Sequence, residues 1–361
     1  MEATENISAK VLDSLRHGPY ACTSLDRLSG GTANFVYRGT LTRALEDGTR
    51  TVVIKHTEGY VASNPGFKLT TSRSDYEQII LSALDQLQAT TNQGVTITTP
   101  HLFLFSQDTN TQVYSDIPTS TELKTYTLTH ALTQAQCRRL GYVLGSWTRN
   151  FHTWAAAPEQ AGLRKKMEGN DAMRELKYMI NYTNLVGTVE RFPEILGRSK
   201  EVFEAVAERT RGELDTERGS LIHGDFWSGN VLLPNTPFPP PTEPLTVFVI
   251  DWEMAQLSSI AFDLGQMFAE LFELKHFKDV DAGVWLIESF VEGYGKIDEE
   301  LAFKTAIHAG AHLICWGSRV AGWGTREQVE TVVEIGRDWV VRGWERDAVY
   351  FQGTASKHLF A

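Results

Sequence analysis

The chain has 361 residues, enough for two domains of ordinary size, and 42% of them are hydrophobic, as is typical of a globular protein with a buried core. Its formal net charge is −11 and its pI is about 5.4. This balance excludes a nucleic-acid interface, because affinity for phosphodiester backbones comes largely from clustered lysine and arginine.

The sequence carries no targeting or membrane signal. It begins with the polar, acidic stretch MEATENISAKVLDSLRHG, and no segment approaches the roughly 18 apolar residues of a membrane span. Its three cysteines are widely spaced and indicate neither a disulfide framework nor a zinc motif. We therefore expect a cytoplasmic, monomeric protein with no membrane partner.

The N-terminal part is predicted to be β-rich. After a helix around residues 7–15, the stretch RLSGGTANFVYRGTL places Gly30 and Gly31 at a turn between two strands. RTVVIKHT supplies a third β-rich run, which contains Lys55. Together these runs predict a small antiparallel sheet at the start of the chain.

One amphipathic helix follows this sheet. SDYEQIILSALDQL has apolar residues at helical spacing, with Ser74 or Asp75 as its N-cap and Glu77 near its start. HLFLFSQ and TQVYSDI are predicted as the strands that complete the sheet. Pro118 marks the point at which the predicted structure changes from mainly β to mainly helical.

Beyond Pro118 the pattern is mainly helical, as in TQAQCRRLGYVLGSWTRNFHTW and SKEVFEAVAERTRGEL. Short strands are predicted at LIHGD, VLLP and LTVFVIDWE, the last two separated by a proline-rich connection. The sequence therefore predicts an α+β protein with an N-lobe at residues 1–117 and a helical C-lobe at residues 118–361.

The loop HGDFWSGN carries the strongest chemical signal. Asp225 and Asn230 lie five positions apart in it, and Asp251 ends the next apolar strand, so strand pairing would bring the three together. Two carboxylates and an amide oxygen suit magnesium, and a carboxylate can accept the proton of an attacking hydroxyl. Singly, such residues are more often turn formers, but their spacing between apolar strands favours the chemical interpretation. His223 is expected to brace the loop.

The N-terminal part contains a lysine, a glutamate and a glycine-rich turn that would suit the same phosphoryl-transfer chemistry. Lys55 among apolar residues would be costly to bury without a partner, and Glu77 on the following helix is a natural counter-ion. The alternative is that Glu77 is a solvated residue on a polar helix face. The two glycines of the turn could likewise belong to an ordinary hairpin.

HGDFWSGN and VIDWEMAQLSSIAFDLG together resemble the small-molecule branch of the protein-kinase-like fold, which includes aminoglycoside phosphotransferases, choline kinases and methylthioribose kinases. The resemblance implies a bilobal protein-kinase-like fold that uses ATP and Mg²⁺. It implies transfer of the γ-phosphate to a hydroxyl of a small metabolite. The acidic chain would suit an amino alcohol or a hydroxylated aromatic amine.

The resemblance also implies residue roles. Asp225 would be the catalytic base, and Asn230 and Asp251 would hold magnesium. Lys55 would contact the α- and β-phosphates, oriented by Glu77.

Other implied roles concern the nucleotide and the catalytic loop. Asp263 in FDLG would brace that loop. The residues implied to contact the nucleotide lie in the glycine-rich turn and in an adenine-reading hinge: Gly30, Gly31, Thr32 and Asn34, and Ser115, Asp116 and Ile117.

The acceptor site is predicted from aromatic and acidic residues of the C-lobe. In the kinases that the sequence resembles, the region of Trp316 and Trp323 helps to wall the acceptor site, and Trp227 could point toward that site or into the core. Glu270 and Glu273 could meet a cationic amine. The alternatives are that Trp316 and Trp323 belong to a helix core, and that Glu270 and Glu273 form a solvated acidic face.

The sequence disfavours two functions other than a small-molecule kinase. A protein kinase is disfavoured because only eleven residues separate Asp251 from Asp263, too few for a long activation segment. A nucleotide-binding pseudokinase is disfavoured because the lysine, the helix glutamate and the three loop and strand-end residues are all present.

Overall fold

The chain forms two compact units. The computed structural model describes residues 2–29, 31–216, 219–320 and 322–360. Unit 1 comprises Met1–Gln86 and Thr99–Pro118, and unit 2 comprises Leu87–Thr98 and Thr119–Ala361. Unit 1 is built around an antiparallel sheet and unit 2 is mainly helical, which confirms the predicted α+β class.

The described strands are β1 Cys22–Arg27, β2 Phe35–Leu41, β3 Thr51–His56, β4 Tyr60–Val61, β5 Asn64–Lys68, β6 Thr90–Asn92, β7 Val95–Thr98, β8 Leu102–Ser106, β9 Thr111–Ser115, β10 Ser120–Glu122, β11 Ser220–Ile222, β12 Val231–Pro234, β13 Leu245–Val249 and β14 Gln256–Ser258. The α-helices are α1 Glu2–Leu15, α2 Arg73–Leu84, α3 Leu123–Thr129, α4 Gln134–Ala156, α5 Ala161–Met167, α6 Asp171–Tyr178, α7 Asn184–Thr188, α8 Pro193–Leu196, α9 Lys200–Thr216, α10 Ala261–Lys278, α11 Ala282–Tyr294, α12 Glu299–His312, α13 Arg326–Trp344 and α14 Ala348–Gln352. Two π-helical turns occupy Met179–Thr183 and Leu313–Gly317.

The core of unit 1 lies between α1 and the sheet β1-β2-β3-β9-β8. Side chains of β2 alternate between buried and partly exposed, as expected when one face of an antiparallel sheet packs on a core. Val11 of α1 is fully buried with Val52 and Ile54 of β3. This packing fixes β3, and with it the position of Lys55.

Helix α2 begins earlier than predicted. Its N-cap is Ser72 rather than Ser74 or Asp75, and no side chain caps it. Thr70 accepts the backbone N–H of Ser72 through its hydroxyl, which closes a turn just before the helix. Ser74 therefore lies inside the helix, where its hydroxyl donates to the carbonyl of Thr71.

The segment Leu87–Thr98 belongs to unit 2, although the predicted N-lobe at residues 1–117 included it. Its strand β7 pairs in parallel with β13, in a sheet of order β10-β12-β13-β7-β6. Val95 and Ile97 are fully buried there, so the apolar residues of this segment join the core of unit 2. Because β7 pairs with a strand about 150 residues later, the local sequence gives no sign that this segment belongs to unit 2.

Two glycines allow α4 and α11 to pack closely. A Cβ atom at Gly141 would lie 2.9 Å from the carbonyl oxygen of Leu286, and one at Gly145 would lie 2.0 Å from that of Phe290. Ser289 of α11 donates a hydrogen bond to the carbonyl of Cys137. Helix α4 of this pair also contacts β11, the strand that leads into the HGDFWSGN loop.

The HGDFWSGN loop is held by two separate strand pairs. β11, which leads into it, pairs with β14, and β12, which leads out, pairs with β13. The loop is therefore anchored at both ends to the segment that contains Asp251.

Candidate active site

Asp225 is held by side chains from two elements. Asn230 donates its amide N–H to the Asp225 backbone oxygen at 2.9 Å and to Oδ2 at 3.1 Å. Gln266 of α10 donates from Nε2 to Oδ1 at 2.7 Å. The carboxylate is half-buried and in a fixed orientation, as a positioned proton acceptor requires.

Asp263 binds the backbone of the loop. Its two oxygens accept the N–H groups of His223 at 2.8 Å and Gly224 at 2.9 Å, and His152 Nε2 lies 3.2 Å away. Burial acts to raise the pKa of Asp263, but these hydrogen bonds and the nearby histidines outweigh it and hold the pKa below its usual value. The geometry agrees with the predicted bracing role.

Gly224 can only be glycine in this loop. Its φ is +83°, and a Cβ atom there would lie 2.1 Å from the carbonyl oxygen of Met254. A left-handed residue at this point lets the chain turn sharply between His223 and Asp225.

His223 links the loop to the end of β13. Its Nε2 lies 2.9 Å from the carbonyl oxygen of Ile250, so it must donate, and Nδ1 accepts the backbone N–H of Asp225 at 3.2 Å. This assignment leaves the imidazole neutral. Burial, the largest influence, lowers the pKa of His223 in agreement. The ring also packs on Trp252, with centroids 4.3 Å apart.

The two predicted magnesium ligands are brought together by the backbone. Ile250 donates its N–H to the carbonyl oxygen of Asn230 at 3.0 Å, and Asp251 is the next residue. Asp251 has a φ of +66°, in the left-handed region that only a few non-glycine residues adopt. Such backbone strain is common at functional sites. The amide nitrogen of Asn230 faces Asp225, so Oδ1 is the side-chain atom that could bind a metal ion.

Lys55 and Glu77 form the predicted ion pair in unit 1. Lys55 Nζ lies 2.9 Å from the carboxylate of Glu77, and both side chains are buried. The alternative of a solvated glutamate is therefore wrong. A buried lysine paired with a carboxylate is an arrangement expected of a phosphate-binding group.

The glycine-rich turn is described only in part, since Gly30 lies outside the described residues. Gly31 and Thr32 are exposed, and the Thr32 carbonyl accepts the N–H of Ser63. Asn34 is buried, and its Oδ1 accepts from Thr57 at 3.0 Å and from Arg73 at 2.9 Å. This side chain therefore supports the turn from behind rather than facing outward from it.

Sequence reasoning missed Arg73. It is fully buried at the start of α2 and donates to the carbonyl of Glu58 and to Oδ1 of Asn34. The guanidinium thus ties the glycine-rich turn to the helix that carries Glu77. An arginine in the first turn of a helix gives no signal of this role in the sequence.

The predicted hinge residues lie at the end of β9 and just beyond it. The Asp116 carboxylate receives two hydrogen bonds from Arg38, at 2.8 and 3.1 Å. Ser115 donates its N–H to the carbonyl of His101. The Ser115 N–H is thus used within the sheet and is not available to a purine edge.

The predicted acceptor residues gather around a lysine. Lys124 donates to Glu270 Oε2 at 2.9 Å, and its Nζ lies 5.4 Å from the ring centre of Trp227 and 4.4 Å from that of Trp323. His312 Nε2 lies 3.0 Å from Glu270 Oε1. The structure therefore places Trp227, Trp323 and Glu270 in one site, which we call the acceptor cluster. Its residues are Lys124, Trp227, Glu270, Glu273, His312, Trp316 and Trp323.

The two glutamates of the cluster are buried, so the predicted alternative of a solvated acidic face is wrong. Burial acts to raise the pKa of Glu270, but the hydrogen bond with His312 and the charge of Lys124 lower it to about 2. Glu273 is different, because burial and the charge of Glu270 raise its pKa well above the usual value. Among the described residues, its Oε1 has no hydrogen-bond partner.

The tryptophans of the cluster do not belong to a helix core. Trp316 is 39% exposed on the second π-helical turn and stacks on His312 at 6.3 Å. Trp227 and Trp323 are partly exposed. The alternative that Trp316 and Trp323 are helix-core residues is therefore wrong.

The sequence is similar to that of known phosphotransferases. The profile of the phosphotransferase enzyme family, APH, matches residues 42–300. The chain is 34% identical to phosphotransferase FrzJ of Cladobotryum sp, over 95% of this chain and 94% of that protein. It is 24% identical to the 4-hydroxytryptamine kinase of Psilocybe cyanescens, over 88% of this chain and 86% of the relative.

Solved structures similar to this chain include a choline/ethanolamine kinase family protein from Mesorhizobium loti, with a TM-score of 0.48, 14% identity and 98% coverage of both chains. The streptomycin-ATP-APH(2")-IIa ternary complex has a TM-score of 0.48 and 13% identity, covering 92% of this chain and 98% of that one. Every helix among the described residues is too short or too polar to span a bilayer. The match over residues 42–300 and the identity to FrzJ over nearly the whole chain identify the protein as a member of the phosphotransferase enzyme family.

Proposed function

We propose that the protein transfers the γ-phosphoryl group of ATP to a hydroxyl group of a small molecule that also carries a cationic amine. One observation carries the proposal: the Asp225 carboxylate is fixed by Asn230 and Gln266 in a loop whose backbone is bound by Asp263. Family membership supports the reaction class. The name of the 4-hydroxytryptamine kinase supports an acceptor with both a hydroxyl and an amine.

In the proposed mechanism Asp225 accepts the proton of the acceptor hydroxyl. The hydroxyl oxygen forms a bond to the γ-phosphorus as the bond between that phosphorus and the β,γ-bridging oxygen breaks. ADP leaves with the electron pair of the broken bond, and the proton remains on Asp225 until solvent removes it. General-base assistance of this kind is typically worth about 10²–10⁴ in rate.

Asn230 and Asp251 would hold magnesium. Their oxygens are hard donors on adjoining chain segments, and Mg²⁺ prefers few protein ligands of this type together with water and phosphate oxygens. The ion would neutralise phosphate charge. Because Asn230 also donates to Asp225, its side-chain amide would position both the metal ion and the catalytic base.

Lys55 is proposed to contact the α- and β-phosphates, with Glu77 fixing its direction. Exposed backbone at Gly31 and Thr32 would lie along the phosphates, and Asp116 and Ile117 would present backbone groups to the adenine. The buried side chain of Asn34 would act indirectly, through its bond with Arg73.

The acceptor cluster supports an amine-bearing substrate. Lys124 donates to Glu270, whereas Glu273 Oε1 has no hydrogen-bond partner among the described residues, so a second cation would be balanced by Glu273. Trp316 is exposed and Trp227 and Trp323 are partly exposed, so these side chains could contact an aromatic or alkyl ammonium group. A protonated amine beside Glu273 would favour the ionised form of that carboxyl and offset part of the cost of burying its charge.

The test is a panel of acceptors incubated with ATP and Mg²⁺, with products detected by mass spectrometry. The panel contains 4-hydroxytryptamine, ethanolamine, choline and streptomycin, with tryptamine as a control that lacks the hydroxyl. 4-Hydroxyindole, which lacks the amine, is matched to 4-hydroxytryptamine. We expect phosphorylation of amine-bearing alcohols and little of 4-hydroxyindole. ATP binding without phosphorylation of any member would contradict the proposed function.

A further inference from the structure

A buried lysine lies behind the Asp225 carboxylate. Lys177, in the last turn of α6, is 1% exposed, and its Nζ donates to Oε1 of Gln266. Gln266 in turn donates from Nε2 to Asp225 Oδ1 at 2.7 Å. The three side chains therefore form a continuous chain of hydrogen bonds within unit 2, ending on the carboxylate.

Lys177 determines which way the Gln266 amide points. An amide can present either its oxygen or its nitrogen to a neighbour, and the two orientations differ by a rotation of about 180°. An ammonium group has only donors, so the atom facing Lys177 must be Oε1. This fixes Nε2 toward Asp225, where a carboxylate can only accept.

The cation is buried at a cost. Burial lowers the pKa of Lys177, and the charges of Asp225, Asp263 and Glu270 act in the opposite direction. A glutamine alone could be oriented by a neutral donor at much lower desolvation cost. The chain also departs from regular α-helix directly after this residue, in the π-helical turn Met179–Thr183, a distortion frequent at functional sites.

The Asp225 oxygens are held unequally. Oδ1 receives the 2.7 Å bond from Gln266, whereas Oδ2 receives the 3.1 Å bond from Asn230. Shorter bonds to a carboxylate are the stronger ones, so Oδ2 retains more of its capacity to accept a further proton.

We infer that Lys177 and Gln266 are positioning residues for phosphoryl transfer, forming a relay that locks the Asp225 rotamer so that Oδ2 receives the acceptor proton. This inference rests on the proposed function, since it requires Asp225 to act as the base. Neither residue touches substrate; each acts through the next residue in the chain of hydrogen bonds.

The experiment compares Lys177→Met, Gln266→Leu and the double variant with wild-type protein, using ATP and the best acceptor of the panel. Each single variant is expected to lower kcat by about tenfold to a hundredfold, the loss typical of a misplaced catalytic group. KM for ATP should stay within about twofold. Because the residues act in series, the double variant should be no slower than the slower single variant.

Two further variants separate positioning from stability. Lys177→Gln keeps a neutral donor toward Gln266 and should retain more activity than Lys177→Met. Arg174→Met is the matched control, because Arg174 is a buried cation of the same helix that donates to the Leu214 carbonyl and not to Gln266. It should lower the melting temperature and leave kcat unchanged. If Lys177→Met fails to fold, Gln266→Leu alone must show the loss of kcat.

The outcomes distinguish the relay from the function on which it rests. The relay would be overturned by full kcat in Gln266→Leu, or by additive losses of kcat in the double variant. If kcat of Asp225→Asn were still strongly reduced in that case, the proposed function would stand without the relay. Wild-type protein that phosphorylates no acceptor would overturn the proposed function and the relay with it.

Discussion

Asp263 Oδ1 accepts the backbone N–H of Gly224 at 2.9 Å, and this bond makes a buried carboxylate on α10 the support of the catalytic loop. The second oxygen binds the N–H of His223. Because one side chain satisfies two backbone donors, the loop and the helix should lose stability together when that carboxylate is altered.

Asp263→Asn should lower the free energy of unfolding by about 2–4 kcal/mol, because one loop N–H would face an amide donor. The folded pKa of Asp263 is depressed, so its contribution is present above the unfolded pKa of about 3.9 and is lost as pH falls through the folded value. Urea unfolding should therefore show a constant difference from wild type between about pH 7 and 5, and a smaller one below about pH 4. A difference that grows toward acid pH would contradict this account.

Gly224→Ala should be far more damaging than Gly48→Ala. Both glycines have positive φ, +83° and +86°, so both substitutions incur the left-handed penalty of about 1–2 kcal/mol. Only at Gly224 would the new Cβ atom collide with a backbone oxygen, since nothing lies within 4 Å at Gly48. Thermal unfolding should show an additional loss of about 1–3 kcal/mol at Gly224. Equal losses of stability in the two variants would show that the loop can shift to accommodate a Cβ atom at Gly224 without further cost.

Lys55→Met should abolish most phosphoryl transfer and also destabilise unit 1 by about 3–5 kcal/mol, because the buried Glu77 carboxylate would lose the ion pair with Lys55. Replacing both residues in Lys55→Met/Glu77→Met should restore much of the stability without restoring activity. Melting temperatures and kcat, measured on the same preparations, separate the two effects. Recovery of activity in the double variant would show that the pair serves only folding.

Glu273→Gln should weaken binding of amine-bearing acceptors while leaving KM for ATP unchanged. It should also stabilise the free protein: the folded pKa of Glu273 is raised, so its carboxyl destabilises the fold increasingly as pH rises above the unfolded value of about 4.3. The stability gain should therefore be larger at pH 8 than at pH 5. An unchanged KM for 4-hydroxytryptamine would remove Glu273 from the acceptor site.

Much of the site could be predicted because it depends on short-range pattern. Asn230 directly precedes β12 and Asp251 follows β13. These neighbouring strands pair, so apolar runs and spacing sufficed to predict that the two residues lie close together. The pair of Lys55 and Glu77 followed from the cost of burying a lysine.

The remainder depends on long-range packing that no local pattern records. Lys177 meets Gln266 across 89 positions, and Lys124 meets Glu270 across 146. A helix glutamate has the same local sequence signature whether it faces solvent or the acceptor cluster, so the burial of Glu270 required the structure. One signal was present for Gln266: it lies three residues after Asp263, on the same helical face.

The most direct test of the central claim is the rate of phosphoryl transfer by Asp225→Asn, measured with ATP, Mg²⁺ and the best acceptor of the panel. Calorimetry of ATP binding and a thermal melt on the same sample control for folding. We predict that ATP binds with wild-type affinity while kcat falls by about 10²–10⁴, the contribution of a general base. Transfer at the wild-type rate would contradict the assignment of Asp225 as the base.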